Sequence, residues 1–83
     1  MGSEFDIAVG NRLRVRRKEM RMTQSQIGTL LGVTFQQIQK YEVGRNPLTA
    51  SRLWLFAKAI NLPMAEILEG IDEFEMAAPA KRR

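Results

Sequence analysis

Residues 22–44, MTQSQIGTLLGVTFQQIQKYEVG, decide the fold of this chain of 83 residues. Thr23 and Thr34 each precede apolar residues at helical spacing, and a threonine hydroxyl in this place accepts a hydrogen bond from a backbone N–H of the first helical turn. Gly32 lies between them and supplies the left-handed residue that ends a helix. The stretch therefore predicts two helices joined by a tight turn, over Gln24–Leu31 and Phe35–Val43.

Apolar residues at three- and four-residue steps predict three further short helices around this pair. They are expected over Asp6–Met20, Ala50–Ile60 and Pro63–Gly70. The chain is therefore predicted to be all-α, a compact bundle of five helices that forms one domain over residues 6–70. Residues 1–5, MGSEF, have the composition of a cloning scar, and residues 71–83 are expected to form a flexible or partly helical tail.

The composition excludes several classes of function. The chain contains no cysteine and no histidine, which excludes disulfide scaffolds, zinc fingers and thiol nucleophiles and removes the most frequent general base. We therefore expect no enzyme, no catalytic residue, no metal and no cofactor. No apolar run reaches the roughly 20 residues of a membrane span, so we expect a cytoplasmic protein; a bacterial or phage type and association with the nucleoid are expected only from the family resemblance of residues 22–44.

The charges are unevenly distributed along the chain. Thirteen lysine and arginine residues against nine aspartate and glutamate residues give a net charge of +4. Ten of the basic residues lie between Arg12 and Lys58, where only two acidic residues occur. A basic domain favours a polyanionic partner, above all nucleic acid, whereas a solvated basic face is the alternative.

The quoted stretch resembles the Cro/C1-type repressors, the XRE family, and the resemblance extends over about residues 12–70. It rests on Thr23-Gln24 at the start of the second helix, Gly32 in the turn, Ile38 in the third helix, and Glu42-x-Gly44 at its end. It implies a fold of the lambda-repressor-like type, in which helices two and three form a helix-turn-helix. It also implies sequence-specific binding of double-stranded DNA by a transcriptional regulator, usually a dimeric repressor.

The outward face of the third helix is the predicted base-reading surface. On a helical wheel, Gln36 and Lys40 lie nearly opposite the core residue Ile38. A glutamine side chain can form two hydrogen bonds with adenine, and a lysine can donate to guanine. Phe35, at the helix start, could either pack in the core or contact a thymine methyl. For the polar residues, the alternative is an ordinary solvated helix face. The predicted base-reading residues are Phe35, Gln36, Gln37 and Lys40.

Contacts to DNA phosphates are expected at helix starts, where N–H groups and the helix dipole favour anions, and in the loop after the third helix. The predicted phosphate-binding residues are Gln24, Thr34, Arg45, Asn46, Thr49, Ser51 and Arg52. Ordinary helix capping and loop solubility are the alternative for them. Long-range attraction, rather than specific contact, is expected of the basic side chains on the first helix, which are Arg12, Arg14, Arg16 and Lys18.

Two features are expected to hold the helices together. Arg17 lies on the buried stripe of the first helix, and the resemblance implies an ion pair between Arg17 and Glu42 of the third helix. Two exposed side chains are the alternative at these positions. Gly28 stands where the family commonly has alanine, and close packing against the third helix is the expected reason.

A homodimer is expected, since one such domain contacts only a few base pairs and two copies bind half-sites about one helical turn apart. The DNA partner would then be a palindromic operator. The surplus apolar residues from which an interface could be built are Leu48, Leu53, Trp54, Leu55, Ile71 and Phe74. The alternative function is an antitoxin or adaptor that binds a protein partner through the acidic segment from Glu66 to Glu75, with DNA binding secondary.

Overall fold

The computed structural model describes residues 3–71, which contain five α-helices and no strand. The helices are α1 (Glu4–Glu19), α2 (Gln24–Leu31), α3 (Phe35–Glu42), α4 (Ala50–Ala59) and α5 (Met64–Leu68). The predicted all-α fold of five helices is confirmed. None of the helices in this part of the chain is long and apolar enough to cross a bilayer.

The first helix begins earlier than the sequence predicts. The Ser3 hydroxyl accepts a hydrogen bond from the Asp6 N–H at 3.1 Å, and the Asp6 carboxylate accepts one from the Ser3 N–H at 3.2 Å. This reciprocal capping box starts α1 at Glu4, and Phe5 packs against the core. The helix thus begins two residues before the predicted start at Asp6, whereas the domain boundary at residue 6 and the origin of residues 1–5 as a cloning scar stay predictions.

Ile71 packs at the end of the described residues. It is 1% exposed and belongs to the core, and its N–H donates to the carbonyl oxygen of Leu68 at 3.1 Å. The domain boundary after residue 70 and the tail over residues 71–83 stay predictions, and Ile71 itself is part of the core. Pro63 is the N-cap of α5 and not its first helical residue. Phe74 and the acidic residues after Ile71 lie outside the described residues.

Apolar side chains from every helix meet in one core. Each of them is removed almost completely from water, and full burial of such a side chain contributes about 1.5–3 kcal/mol. The residues with no exposed surface are Leu13, Ile27, Ile38, Phe56, Ile60 and Ile67. Since Ile38 is the innermost residue of α3, this packing turns the opposite face of α3 towards solvent.

Two glycines permit backbones to approach closely. A Cβ atom on Gly10 would overlap the carbonyl oxygen of Tyr41, so α1 and α3 touch at this point through their backbones. A Cβ atom on Gly28 would lie 2.6 Å from the carbonyl oxygen of Val33. The close contact expected at Gly28 therefore exists, but it is made with the turn that follows α2 and not with α3 itself.

We expect Gly28→Val to lower the free energy of unfolding by about 3 kcal/mol or to prevent folding, because the added atoms meet a backbone carbonyl that has no room to move aside. Ser25→Val is the matched control, since it adds a β-branched side chain to the exposed face of the same helix. Urea denaturation followed by circular dichroism measures both variants. A Gly28→Val protein as stable as the control would contradict the close contact.

Candidate nucleic-acid interface

The outer face of α3 is polar and exposed. Ile38 and Tyr41 hold the helix in the core, and the side chains of Gln36, Gln39 and Lys40 are open to solvent. Gln37 is half-buried, and its backbone N–H donates to the Thr34 hydroxyl at 3.2 Å. The helix is thus fixed by one side and presents hydrogen-bonding groups on the other.

Phe35 occupies the first position of α3 and does not belong to the core. It is 47% exposed and is not among the residues that form the core or pack against it. The structure therefore places an aromatic ring beside the polar face of α3. Of the two roles left open by the sequence, core packing is not the one observed.

Arg17 and Glu42 form a buried ion pair between α1 and α3. The Arg17 Nε donates to Glu42 Oε2 at 2.6 Å and the Nη2 donates to Glu42 Oε1 at 3.1 Å, in the two-pronged geometry that suits a guanidinium and a carboxylate. The Nη1 donates to the carbonyl oxygen of Met22 at 2.6 Å. No buried polar side-chain atom within residues 3–71 lacks a hydrogen-bond partner. The pair is thus fully satisfied.

Gln24 joins this pair at the start of α2. Its Nε2 donates to Glu42 Oε1 at 3.1 Å, so one of its two amide hydrogens is committed inside the fold. The second hydrogen and the first backbone N–H groups of α2, which have no acceptor within the helix, are the donors left for an anion. A phosphate contact by Gln24 would therefore be made from a side chain that the fold already positions.

Of the other predicted phosphate-binding residues, two threonines cap helices, and a serine and an arginine lie in the first turn after one of these caps. Thr34 and Thr49 are the N-caps of α3 and α4, and the Thr49 hydroxyl accepts from the Arg52 N–H at 3.2 Å. The Ser51 hydroxyl lies 3.3 Å from that of Thr49, and the Arg52 Nη1 donates to the Tyr41 hydroxyl at 3.2 Å. The two threonines therefore do cap their helices, and each threonine hydroxyl that accepts from a backbone N–H still has its own hydrogen to donate.

The loop between α3 and α4 contains the two remaining predicted phosphate-binding residues. Arg45 is exposed, whereas Asn46 is half-buried. Asn46 lines a small cavity of about 40 Å³ together with Phe5 and Leu48, beside the start of α1. Arg45 is therefore the more accessible of the two.

Arg12 and Arg16 bind backbone carbonyls and do not serve as free surface charges. Arg12 Nη1 donates to the carbonyl oxygen of Glu66 at 2.8 Å and to that of Ile67 at 3.2 Å. Arg16 donates through Nε and Nη2 to the carbonyl oxygens of Ile60 and Asn61, both at 3.0 Å. Basic side chains at helix ends satisfy carbonyls that lack helical partners. These two arginines therefore attach α1 to α4 and α5; their bonds are to neutral carbonyls, so they keep their charge, and the expectation that they add long-range attraction stays a prediction.

An open cavity of about 710 Å³ lies between α1 and α3, at the start of α2; we call it the basic groove. It is lined by Arg14, Arg17, Lys18, Arg21, Met22, Thr23, Gln24, Gln39, Glu42 and Val43. Sequence reasoning assigned Arg21 no role, although its spacing from Arg14 and Lys18 is that of one helix face extended by a turn. Within residues 3–71, no group of carboxylates is arranged to hold a metal ion.

A sequence model of the family described as helix-turn-helix matches residues 13–67, which is more than half of the chain and includes α2 and α3. The chain belongs to the Cro/C1-type (XRE) helix-turn-helix family. Within the matched range, α2 and α3 form the helix-turn-helix. The family assignment drawn from the residues around Gly32 is confirmed.

Several relatives of this helix-turn-helix domain are transcriptional regulators by name, not enzymes. An uncharacterised HTH-type transcriptional regulator of Sinorhizobium medicae (strain WSM419) is 48% identical over 65 residues, which cover 78% of this chain and 47% of the relative. An uncharacterised transcriptional regulator in the ATPase CF(0) region of Rhodospirillum rubrum is 49% identical over 59 residues, covering 71% and 55%. The chain spans about half the length of these curated relatives.

A solved structure shares the helix-turn-helix fold. The crystal structure of ClgR, the clp gene regulator of Corynebacterium glutamicum, matches with a TM-score of 0.77 and covers 99% of this chain and 86% of its own. The sequence identity is 21%, so the likeness concerns the arrangement of the helices.

We expect Glu42→Ala to melt at least about 12 °C below the wild type, because it leaves the Arg17 guanidinium buried without its counter-ion, a loss of about 3–5 kcal/mol. Arg45→Ala is the control, since an exposed loop side chain typically changes stability by less than about 0.5 kcal/mol. Thermal denaturation of the three proteins, followed by circular dichroism, makes the comparison. Equal melting temperatures for the two variants would show that the ion pair does not hold α1 and α3 together.

Proposed function

We propose that this chain binds double-stranded DNA in a sequence-specific manner as a homodimeric transcriptional regulator in the cytoplasm, acting as a repressor, with α3 in the major groove. The observation that carries the proposal is the outer face of α3, where Gln36 and Lys40 are exposed while Ile38 and Tyr41 hold the helix from behind. A fixed helix with an outward row of donors and acceptors has the geometry that base recognition requires. The repressor role rests on the resemblance to the Cro/C1-type repressors.

The base contacts are assigned by chemistry. Gln36 pairs with adenine through its amide, and Lys40, one turn later, donates to guanine. Gln37 lies at the flank of this face, and the exposed ring of Phe35 supplies an apolar contact for a thymine methyl at the helix start. Each well-placed contact of this kind contributes about 1–3 kcal/mol of discrimination between base pairs.

The phosphate contacts are assigned to the two flanks of α3. Before the helix stand Gln24 and Thr34, at the starts of α2 and α3, where helix dipoles favour an anion. After it come the loop and the start of α4, with the remaining donors Arg45, Asn46, Thr49, Ser51 and Arg52. Contacts on both sides of the groove would set the register of α3 against the bases.

The homodimer is supported by the need for two half-sites and by one exposed apolar surface on α4. Trp54 is 51% exposed and Leu55 is 39% exposed, and Lys58 lies over the indole ring at 4.4 Å from its centroid. Leu48 and Leu53, by contrast, pack against the core. Of the surplus apolar residues, Trp54 and Leu55 are therefore the ones we assign to the interface between two copies.

Selection of duplexes from a random DNA pool tests the proposal directly. We expect the wild type to enrich a palindrome, and Gln36→Ala to lose about 1–3 kcal/mol of preference at one A·T pair in each half-site. Titration of the selected duplex against scrambled DNA at several salt concentrations measures that preference, because affinity without the salt dependence does not separate base contacts from phosphate contacts.

Gln39→Ala is the matched control, since it removes an exposed glutamine from the same helix on the side of the basic groove. Its base preference should equal that of the wild type. If the wild type enriches no sequence and binds all DNA weakly with a steep salt dependence, the proposal fails. That result would favour an adaptor that uses the acidic segment to bind a protein.

We expect Phe35→Ala to leave the melting temperature within about 3 °C of the wild type, because its exposed ring contributes little to the core. The same variant should lose affinity selectively for duplexes with the preferred A·T pair opposite the start of α3. Thermal denaturation and competition between duplexes that differ at that pair give the two readouts. A large drop in melting temperature with unchanged base preference would contradict the role in base contact.

A further inference from the structure

We propose that the basic groove between α1 and α3 is a second binding site for DNA backbone phosphate, in which Arg14, Lys18 and Arg21 contact the strand. This inference rests on the proposed DNA binding and extends it. It places specific contacts on the end of α1, where the sequence predicts long-range attraction at most. It also gives a role to Arg21, which the helix-turn-helix pattern leaves unused.

The three side chains are the uncommitted cations of this part of the protein. Arg14, Lys18 and Arg21 are exposed, and within residues 3–71 they take part in no ion pair. The other arginines of α1 are engaged by the fold, Arg12 and Arg16 by backbone carbonyls and Arg17 by Glu42. The division leaves the positive charge concentrated on one side of the helix, the side that faces the groove.

The groove carries a net positive charge because its one carboxylate is already neutralised. Four cationic side chains and a single carboxylate, that of Glu42, line it, an excess of three positive charges. Glu42 is paired with Arg17 behind the groove wall, with both side chains buried. A phosphate entering the groove would therefore meet Arg14, Lys18 and Arg21 without competition from a free carboxylate.

The position of the groove is that of a strand running beside the recognition helix. Its far wall is formed by Gln39 and Val43 of α3, and its end by Thr23 and Gln24 at the start of α2. A DNA backbone that flanks the face of α3 on the side of α1 passes over this opening. The phosphate contacts proposed for the loop after α3 lie on the other flank, so the groove adds further contacts on the flank where Gln24 is already proposed to bind phosphate.

Arg21 is held in a backbone conformation that its side chain does not favour. Its φ is 59°, in the left-handed region that a glycine occupies without strain. The Arg21 N–H donates to the carbonyl oxygen of Lys18 at 3.0 Å, which completes the turn after α1. Asn61, in the corresponding turn after α4, has a similar φ of 54°, so this conformation belongs to the end of the helix, and it is the exposed side chain of Arg21 that makes the proposed contact.

The substitution Arg21→Gly separates binding from folding. It removes the charge and relaxes the turn, so we expect unfolding in urea at the same concentration as the wild type or higher. We also expect weaker binding to the selected duplex and to scrambled DNA alike, with the slope of log affinity against log salt concentration reduced by about 0.9. With a slope smaller by about 0.9, the variant loses about eightfold more affinity, relative to the wild type, at 0.1 M salt than at 1 M salt.

The triple variant Arg14→Gln, Lys18→Gln, Arg21→Gly should reduce the slope by about 2 to 3, with its preference for the selected duplex over scrambled DNA intact. The charge-conserving variant Arg14→Lys, Lys18→Arg, Arg21→Lys is the matched control, since it alters the same three side chains, keeps their charge and should leave the slope unchanged. A triple variant whose slope falls by less than about 1 while the wild type still prefers its selected duplex overturns the groove proposal and leaves the proposed function standing. Loss of sequence preference in the wild type itself overturns both.

Neutral methylphosphonate linkages placed one at a time in the selected duplex locate the phosphate. At the positions that face the groove, the substitution should weaken the wild type about eightfold at 0.1 M salt and leave the triple variant unaffected, because the partner charges are already absent. Equal weakening of both proteins at every position would show that no phosphate is bound by these three residues.

Discussion

The ion pair between Arg17 and Glu42 is the interaction on which the arrangement of the first three helices depends. One guanidinium joins α1 to the end of α3 through two hydrogen bonds and to the turn before α2 through a third, and Gln24 adds a bond from the start of α2. Because both charges are buried, neither side chain can be removed without stranding the other. Leaving one charge unpaired costs about 3–5 kcal/mol. Small domains are stabilised by only about 5–15 kcal/mol in total, so this cost is a large fraction of their stability.

The arginines of α1 lie on different sides of the helix and have three kinds of surroundings. Arg17 points into the interior, Arg12 and Arg16 reach the carbonyl ends of α5 and α4, and Arg14 remains at the surface. A helix places residues four apart on one face and residues two apart on different faces, so neighbouring arginines in the sequence meet different surroundings. The charge of the domain is therefore divided between side chains that the fold holds in place and side chains that are free to contact a partner.

The parts of the fold that could be predicted from the sequence are those set by short-range chemistry. Thr23 and Thr34 mark the starts of α2 and α3 because a capping hydroxyl acts within one turn. Ser3 gives the same capping signal for α1, but residues 1–5 have the composition of a cloning scar, so the prediction starts the helix after them. The partners of Arg12 and Arg16 could not be predicted, since their acceptors are backbone carbonyls 44 to 55 residues away and carry no signature of their own.

The sequence predicts which polar residues of α3 face outward, but it does not predict the surroundings of Phe35 and Arg21. The helical wheel identifies Gln36 and Lys40 as outward-facing, whereas it leaves Phe35 between two roles that only the packing of its neighbours decides. Arg21 lies in the turn after α1, and its spacing from Arg14 and Lys18 is a signal only if the line of that helix face is extended past the end of the helix. Its position beside the groove depends on how α1 and α3 are assembled, which is a property of the whole domain.

The geometry of these arginines also determines which exchanges between the two basic amino acids the domain tolerates. Arg16 and Arg17 each bind two or more acceptors through different nitrogens of one planar guanidinium, a fork that the single ammonium of lysine does not reproduce. At the exposed positions 14 and 21 the charge is not held by such a fork. Lysine and arginine should therefore alternate freely at those two positions as related sequences diverge, while positions 16 and 17 stay restricted to arginine although every one of the exchanges conserves charge.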